Sequence, residues 1–369
     1  MNRTIFVAFA ATLLAATPLA AQDAPYRVEE LASGLKAPWS LAFLPSGGML
    51  VVEKHGAIRR FDGRQLQPTE VAGAPTGVLR DKDGGLLDIA LAPDFARTHE
   101  VYLTFAEGTA EANHTALFRA RYDGRALVDG RVIFRVTPDK KGTAHFGSRI
   151  AFLPDGTLLM TVGEGFDFRD SAQALTSQLG KVLRLTRDGA AAPGNPFIDR
   201  PGARAEIFTY GHRNEQGLMV DPRSGEVWEI EHGPKGGDEV NLLKAGANYG
   251  WPRATYGIDY NGTLISGVQE AKEFEGPHVI WVPSIAPSGL ALYLANAFPA
   301  WKGDFFVGAL AGKQLRRIRM REGKPMLQEV LLTELNARIR DVRVGPDGFL
   351  YVLTDDETNG KLLRLRPRR

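Results

Sequence analysis

Four clusters of polar residues in this chain have the types and spacing to do chemistry. The first is AHFGSRIAFLPDGTLLMTVGEG, in which His145 stands four residues before Arg149, ahead of a strand pair that ends near Glu164. An imidazole at a strand entrance can take a proton near neutral pH, as a general base must. A histidine that only holds structure is the alternative reading of that position taken alone. The second cluster is YGHRNEQG, residues 210–217, which sets His212, Arg213 and Asn214 in a row between two strands. Arg213 can stabilise a negatively charged oxygen and Asn214 can hydrogen-bond a carbonyl. A solvated turn would use the same residue types.

The third cluster, EHGPKGGDEVNLLKAGANYGWP at residues 231–252, joins glycines, a proline and the Asp238-Glu239 pair to a chain reversal around Tyr249. Calcium takes oxygen ligands from carboxylates and from backbone carbonyls in irregular loops, and this segment offers both. It does not follow the EF-hand pattern, and a glycine-rich turn without an ion fits it as well. In the fourth, NARIRDVRVGPDG, Arg338 and Arg340 alternate and so point the same way in an extended segment. Two guanidinium groups on one side suit a polycarboxylate ligand; arginines on an exposed edge strand are the alternative. The chain has no glycine-rich nucleotide fingerprint, no Gly-x-Ser-x-Gly elbow and no His-Glu-x-x-His helix. That argues against nicotinamide, ATP and zinc-protease chemistry.

Such clusters need a rigid frame, and a repeat supplies it. Apolar alternation, a proline turn and a second apolar strand recur at residues 41–52, 89–105, 150–162, 218–230, 290–310 and 342–353. Each copy reads as a hairpin, since period-two alternation marks half-buried strands and Pro-Asp-Gly marks the turn. The repeated prolines, Pro45, Pro93, Pro154, Pro222, Pro299 and Pro346, lie 48, 61, 68, 77 and 47 residues apart. A four-stranded propeller blade takes about 40 to 50 residues, and insertions lengthen it. Six copies predict an all-β, six-bladed β-propeller with four-stranded antiparallel blades, occupying residues 22–369 as one catalytic domain. A β-sandwich is the alternative. The one helix candidate is residues 170–181. Propeller loops on one face converge on the central axis, so the polar clusters are expected to meet there.

Residues 1–21 read as an export signal. Arg3 begins it, residues 5–16 are apolar apart from Thr12, and small residues precede Gln22. An uncleaved anchor is the alternative. The stretch is too short to span a membrane, and no later run reaches the roughly 18 apolar residues a span needs. A periplasmic or secreted protein without stable membrane insertion is expected. The absence of cysteine excludes disulfides, thiolate metal sites and cysteine nucleophiles. A formal net charge of +2 gives no reason to expect a nucleic-acid partner.

Taken in order, GLKAPWSLAFLP, GGLLDIALAPDF, GHRNEQG, GPKGGDEVNLLKAGANYGWP and IRDVRVGPDGFLYVLTD resemble the soluble sugar dehydrogenases that depend on pyrroloquinoline quinone (PQQ). This is the glucose/sorbosone dehydrogenase family, and the likeness is to its bacterial aldose branch. It covers almost the whole chain after the export signal. The resemblance implies a six-bladed propeller that carries the quinone in a cleft on its top face and oxidises aldoses at C1 to lactones. By resemblance, His145 takes the proton of the sugar C1 hydroxyl while hydride passes to the quinone C5. Arg213 sits over the reacting quinone oxygen with Asn214 beside it, Arg338 and Arg340 contact the cofactor carboxylates, and Tyr260 is a further cofactor contact. The backbone carbonyls of Gly233 and Pro234 hold Ca2+, while Glu239 and Tyr249 match a further calcium site. Glu164 falls where the family has an acidic residue near the histidine.

Two departures stand out. Asp83 occupies a position where the glucose enzymes carry Gln, so it is expected to replace that cofactor contact, a difference in substrate polarity being the alternative. Ala311 stands where related chains carry Lys, leaving Lys313 two residues on as the basic cofactor contact. The implied partners are an aldose and an unidentified electron acceptor, with the protein a monomer or homodimer. Two rival functions remain at this level. A calcium-dependent propeller lactonase would bind its metal mainly through side-chain carboxylates and amides and would not need the Arg338/Arg340 pair. A non-catalytic propeller that binds a glycan or protein would need neither His145 nor the arginines.

Overall fold

The structure is a computed structural model that describes residues 25–368, so the expected export signal lies outside the described residues. The strands form six antiparallel sheets arranged as blades around one axis. The chain enters through β1 (Tyr26–Leu35) and then builds blade 1 from β2 (Pro38–Phe43), β3 (Met49–Glu53) and β4 (Ile58–Phe61). Blade 2 holds β5 (Leu86–Leu91), β6 (Glu100–Gly108), β7 (Asn113–Tyr122) and β8 (Leu127–Arg135). Blade 3 holds β9 (Ile150–Phe152), β10 (Leu158–Val162), β11 (Lys181–Leu185) and β12 (Ile207–Tyr210). Blade 4 holds β13 (Glu215–Val220), β14 (Val227–Glu231), β15 (Asp238–Leu243) and β16 (Val279–Trp281). Blade 5 holds β17 (Pro287–Leu292), β18 (Phe305–Ala309), β19 (Gln314–Arg321) and β20 (Lys324–Leu331). Blade 6 begins with β21 (Ile339–Val344), β22 (Leu350–Thr354) and β23 (Gly360–Pro367), and β1 completes it.

Ring closure therefore joins the two ends of the described chain: Val28 is paired with Leu365 and Glu30 with Leu363. Five blades have four strands. In blade 1, residues 62–72 take the fourth place without forming a strand, and the Val71 N–H donates to the Ile58 carbonyl at 2.8 Å.

Each of the six sequence repeats becomes the first and second strand of a blade. The second strands are less alternating than half-buried strands would be, because both of their faces are covered. Met49 and Val51 pack toward blade 6, while Leu50 and Val52 pack toward blade 2. The same rule produces six apolar layers, one between each pair of neighbouring blades. Each fully buried side chain of this size contributes about 1.5–3 kcal/mol.

Residues 170–181 do not form the expected helix. A short 3-10 turn at Arg169–Ala172 ends it, and β11 starts at Lys181. The segment's backbone groups are used elsewhere: the Lys181 ammonium takes the Ser171, Ala172 and Leu179 carbonyls, and the Gln178 N–H donates to the Thr137 carbonyl. Among the described residues no helix is long and apolar enough to cross a membrane.

Candidate active site

Two loops that must touch explain the two glycines in HFGS and VGEG. A Cβ on Gly147 would lie 2.6 Å from the Gly163 nitrogen, and one on Gly163 would lie 2.4 Å from the His145 carbonyl oxygen. Only glycine at both positions lets the loops pack back to back. That contact brings His145 to Glu164, with imidazole Nδ1 3.2 Å from Glu164 Oε1. His145 itself has φ +53°, an uncommon conformation for a non-glycine residue. Its backbone N–H donates to Asp83 Oδ2 at 3.2 Å, which ties the turn to the loop ahead of β5.

The ring lines a cavity of about 220 Å³ at the propeller axis. With Nδ1–H donating to the Glu164 carboxylate, the Nε2 lone pair is left without a partner among the described residues. Burial first, and then the nearby Arg213 charge, hold the imidazole well below its usual range, so the resting ring is neutral. Burial pushes the Glu164 carboxyl up to about 7 against the pull of Arg213, the Phe166 amide, Arg169 and Lys140.

The same cavity is lined by Asp83, Asn214, Tyr260, Arg338 and Arg340. Arg338 and Arg340 do face one way, as alternation requires: Nε of Arg338 is 2.9 Å and Nη2 of Arg340 is 3.2 Å from Asp355 Oδ2. Burial pushes the Asp355 carboxyl up, but Arg340 and Arg338 outweigh it and the net displacement is downward. The side-chain oxygen of Asn214 accepts from the Gly147 N–H and from Gln216 Nε2, each at 3.2 Å. Arg213 donates through Nη1 to the Gly233 carbonyl at 2.8 Å and through Nη2 to the Tyr260 hydroxyl at 3.3 Å. Its Nε is buried without a partner.

Arg213, Gly233, Glu239 and Tyr249 line a narrow cleft beside the central cavity. The Gly233 N–H donates to Asp238 Oδ1 at 2.8 Å, while Oδ2 takes the Ile285 and Ala286 amides. This fully occupied carboxylate fixes the GPKGG loop. The Pro234 carbonyl accepts from Ser284 Oγ at 3.2 Å.

Lys313 is not brought to the axis. It sits in a turn at φ +48°, and its Nζ reaches Asn336 Oδ1 at 3.2 Å beside a separate surface pocket. The central cavity instead receives Lys54 from the loop after β3, together with Trp39, Gln216 and His232. Sequence reading missed these four as site residues. Gln216 and His232 lay inside motifs already singled out, whereas Lys54 carried no local signal. Arg149, although close to His145 in sequence, turns away beneath the floor. There it lies 4.1 Å from the Trp39 ring, 3.1 Å from Asp341 Oδ1 and 3.3 Å from Asp88 Oδ1, tying blades 2, 3 and 6 together.

A buried imidazole backed by a carboxylate, facing a basic wall on a propeller axis, is an arrangement that can take a proton beside an anionic group. Comparison with known proteins narrows the class. The family model described as Glucose / Sorbosone dehydrogenase matches residues 35–364, and the chain belongs to that family of sugar dehydrogenases. It is 42% identical to the aldose sugar dehydrogenase of Escherichia coli (strain K12) over 357 residues, covering 94% of this chain and 95% of the relative. A crystal structure of a glucose dehydrogenase superposes with a TM-score of 0.88 at 44% identity, covering 92% and 99% of the two chains. The PQQ-bound aldose sugar dehydrogenase of Streptomyces coelicolor superposes with a TM-score of 0.77 at 33% identity, covering 94% and 99%.

Proposed function

We propose that this protein oxidises aldoses at C1 to lactones, using pyrroloquinoline quinone and calcium, with His145 as general base. The observation that carries the reading is the His145–Glu164 pair, whose free imidazole nitrogen faces a cavity with Arg338, Arg340 and Lys54 on its walls.

The donor set suits both groups. Three basic side chains, together with the partnerless buried Nε of Arg213, fit a flat ligand that carries several carboxylates. The Gly233 and Pro234 carbonyls fit an oxygen-seeking cation. A Cβ on Gly233 would lie 2.3 Å from the Gly236 carbonyl oxygen, so only glycine there lets the loop fold back on itself. Glu239 and Tyr249 are proposed for the second calcium. Bound there, the quinone supplies the two-electron acceptor and calcium the positive charge that polarises it.

The chain's own residues then have distinct tasks. His145 Nε2 takes the proton of the C1 hydroxyl. Glu164 accepts the hydrogen bond from Nδ1 and stabilises the imidazolium that results. Arg213 stabilises negative charge that develops next to it. Asn214, Arg338 and Arg340 orient the cofactor, and Asp83 holds the His145 turn.

A lactonase reading is weaker, because Asp83 is the single carboxylate among the residues lining the central cavity. The test is to add PQQ and calcium to purified apo-protein and assay aldoses with an artificial electron acceptor. Turnover that needs both additions is expected; no turnover on any aldose would remove the proposal. The export signal adds a second proposal: the mature protein begins near Gln22 and works outside the cytoplasm, passing electrons to an acceptor there. Native protein whose sequenced N-terminus is Met1 or Asn2 would overturn it.

A further inference from the structure

Lys140 is a buried cation that the chemistry above does not use. It is 2% exposed, in the loop between β8 and the His145 turn. Paired backbone hydrogen bonds to Asn113, at 2.8 and 2.9 Å, anchor it to β7. Its stem passes against Gly165, where an added Cβ would lie 2.5 Å from Lys140 Cδ. Its ammonium donates to the Gly142 carbonyl at 3.2 Å and lies 3.8 Å from the centre of the Phe146 ring. Among the described residues it forms no salt bridge, and burial pulls its ammonium down to about 8 against the opposing charges of Asp83 and Glu164, which leaves it a cation at neutral pH. On the other side of Gly165, the second carboxylate oxygen of Glu164 is buried without a hydrogen bond. A buried ammonium is costly where an apolar side chain would fill the same space. Its place near the carboxylate that touches the His145 ring asks for a reason.

We propose that Lys140 is a positioning residue for the His145–Glu164 pair: its ammonium keeps Glu164 a carboxylate and His145 a neutral imidazole, so that Nδ1–H stays engaged and Nε2 stays free. The inference rests on His145 being the base. If Glu164 held the proton instead, Nδ1–H would lose its acceptor and the ring could present a proton, not a lone pair, to the cavity. One cation opposes both errors, because it disfavours a proton on either partner. Arg213, from the turn ahead of β13, acts in the same direction on both. Arg169, from the loop after β10, does so on Glu164. Asp83, ahead of β5, and Asp167, after β10, oppose it at His145. Lys140 differs from Arg169 in having no carboxylate partner, since Arg169 pairs with Asp259, and from Arg213 in not lining the cleft beside the central cavity.

The test needs no cofactor. In apo-protein, the His145 ring nitrogens are followed by 15N NMR through a pH titration, with His145→Ala identifying the signal. Lys140→Met is expected to raise the His145 midpoint by about one pH unit, as loss of a nearby cation should. In enzyme reconstituted with PQQ and calcium, the acid limb of kcat/KM should move up in the same way while quinone affinity stays unchanged. Lys140→Arg should bring both back toward the parent values. An unmoved midpoint in a folded Lys140→Met protein overturns the inference, as does Lys140→Arg behaving like Lys140→Met. If Lys140→Met does not fold, Lys140→Gln against Lys140→Arg gives the same two outcomes. A His145→Ala enzyme with near-normal turnover would defeat the base assignment itself. A dead His145→Ala enzyme with an unmoved midpoint in Lys140→Met would defeat only the role given to Lys140.

Discussion

Two groups of carboxylates lie in neighbouring blades, in different surroundings. Around His145, Glu164 and Asp83 share their surroundings with Arg213, Lys140 and Arg169. In blade 4, Glu215, Glu231 and Glu239 stand directly opposite one another across β13, β14 and β15, with Glu229 one row away, paired with Asn241. There the nearby cation, Lys181, gives its ammonium to three carbonyls and not to a carboxylate. His212 donates to Glu231, and both oxygens of Glu215 are buried without partners. Burial pushes Glu215, Glu229 and Glu239 well above the usual carboxylate range, and the charge of Glu231 pushes the same way. Perturbed carboxyls alone therefore do not mark the site of chemistry. The His145 group opens onto the axis, where loops from several blades meet, and it has cations beside its carboxylates. The blade 4 ladder faces an interblade layer and has more acid than base, the condition a bound cation would relieve.

Removing His145 should separate the two groups most sharply. His145→Ala is expected to lose turnover by about 10²- to 10⁴-fold while still binding the quinone, the usual worth of a general base. Quinone titration beside a turnover assay checks this, and near-normal turnover would erase the distinction. Calcium removal should strike both groups. Chelation is expected to abolish activity and quinone binding and to lower thermal stability by roughly 3 kcal/mol, as for a ligand held at about 100 times its Kd. Calorimetry with and without chelator measures the second effect. Unchanged stability would mean that the ladder needs no cation. Arg340→Ala tests the cavity wall alone. It should weaken quinone binding by about 10- to 100-fold, and excess quinone should restore much of the rate. A rate that excess quinone leaves unrestored would put Arg340 in the reaction itself.

The smallest effect expected is in the ladder. The folded state holds a proton on Glu215 that the unfolded chain releases above about 4.5. Stability from this group is thus present at acid pH and lost as pH rises toward its raised folded value. In calcium-free protein, Glu215→Gln should leave stability unchanged at pH ~4 and raise it by ~1 kcal/mol at pH ~8. Melting curves at the two pH values decide it; equal effects at both would show that Glu215 is not held protonated.

Much of this was legible in the chain because the signals were local. Period-two strands and Pro-Asp-Gly turns depend on residues a few positions apart, and all six repeats became the first two strands of a blade. His145, Arg213, Asn214, Arg338 and Arg340 could be singled out for a similar reason, since each lies in a short polar cluster at the end of a repeated strand. The closeness of His145 to Glu164 was implied by the family resemblance alone, and the structure shows that two glycines allow it. Local pattern failed at residues 170–181, where the Lys181 ammonium and the Thr137 carbonyl take backbone groups a helix would use, leaving a 3-10 turn and a strand.

What ring closure alone decided is which side chains reach the axis. Lys54, Gln216 and His232 come from blades 1 and 4, and nothing in their own segments says that they share a wall. Lys54 reaches that wall, while Lys313, the expected basic contact, leaves its turn toward Asn336 outside it. Arg149 is four residues from His145, yet it points beneath the cavity floor to Asp88 and Asp341. Lys140 becomes a neighbour of Glu164 only because β7 holds its backbone and Gly165 leaves room for its stem. The physical reason is common to all four. Sequence spacing sets which way a strand residue faces, but the distance between two loops is set by the packing of six blades. A side chain's charge acts over a few ångströms of that space, not over positions along the chain.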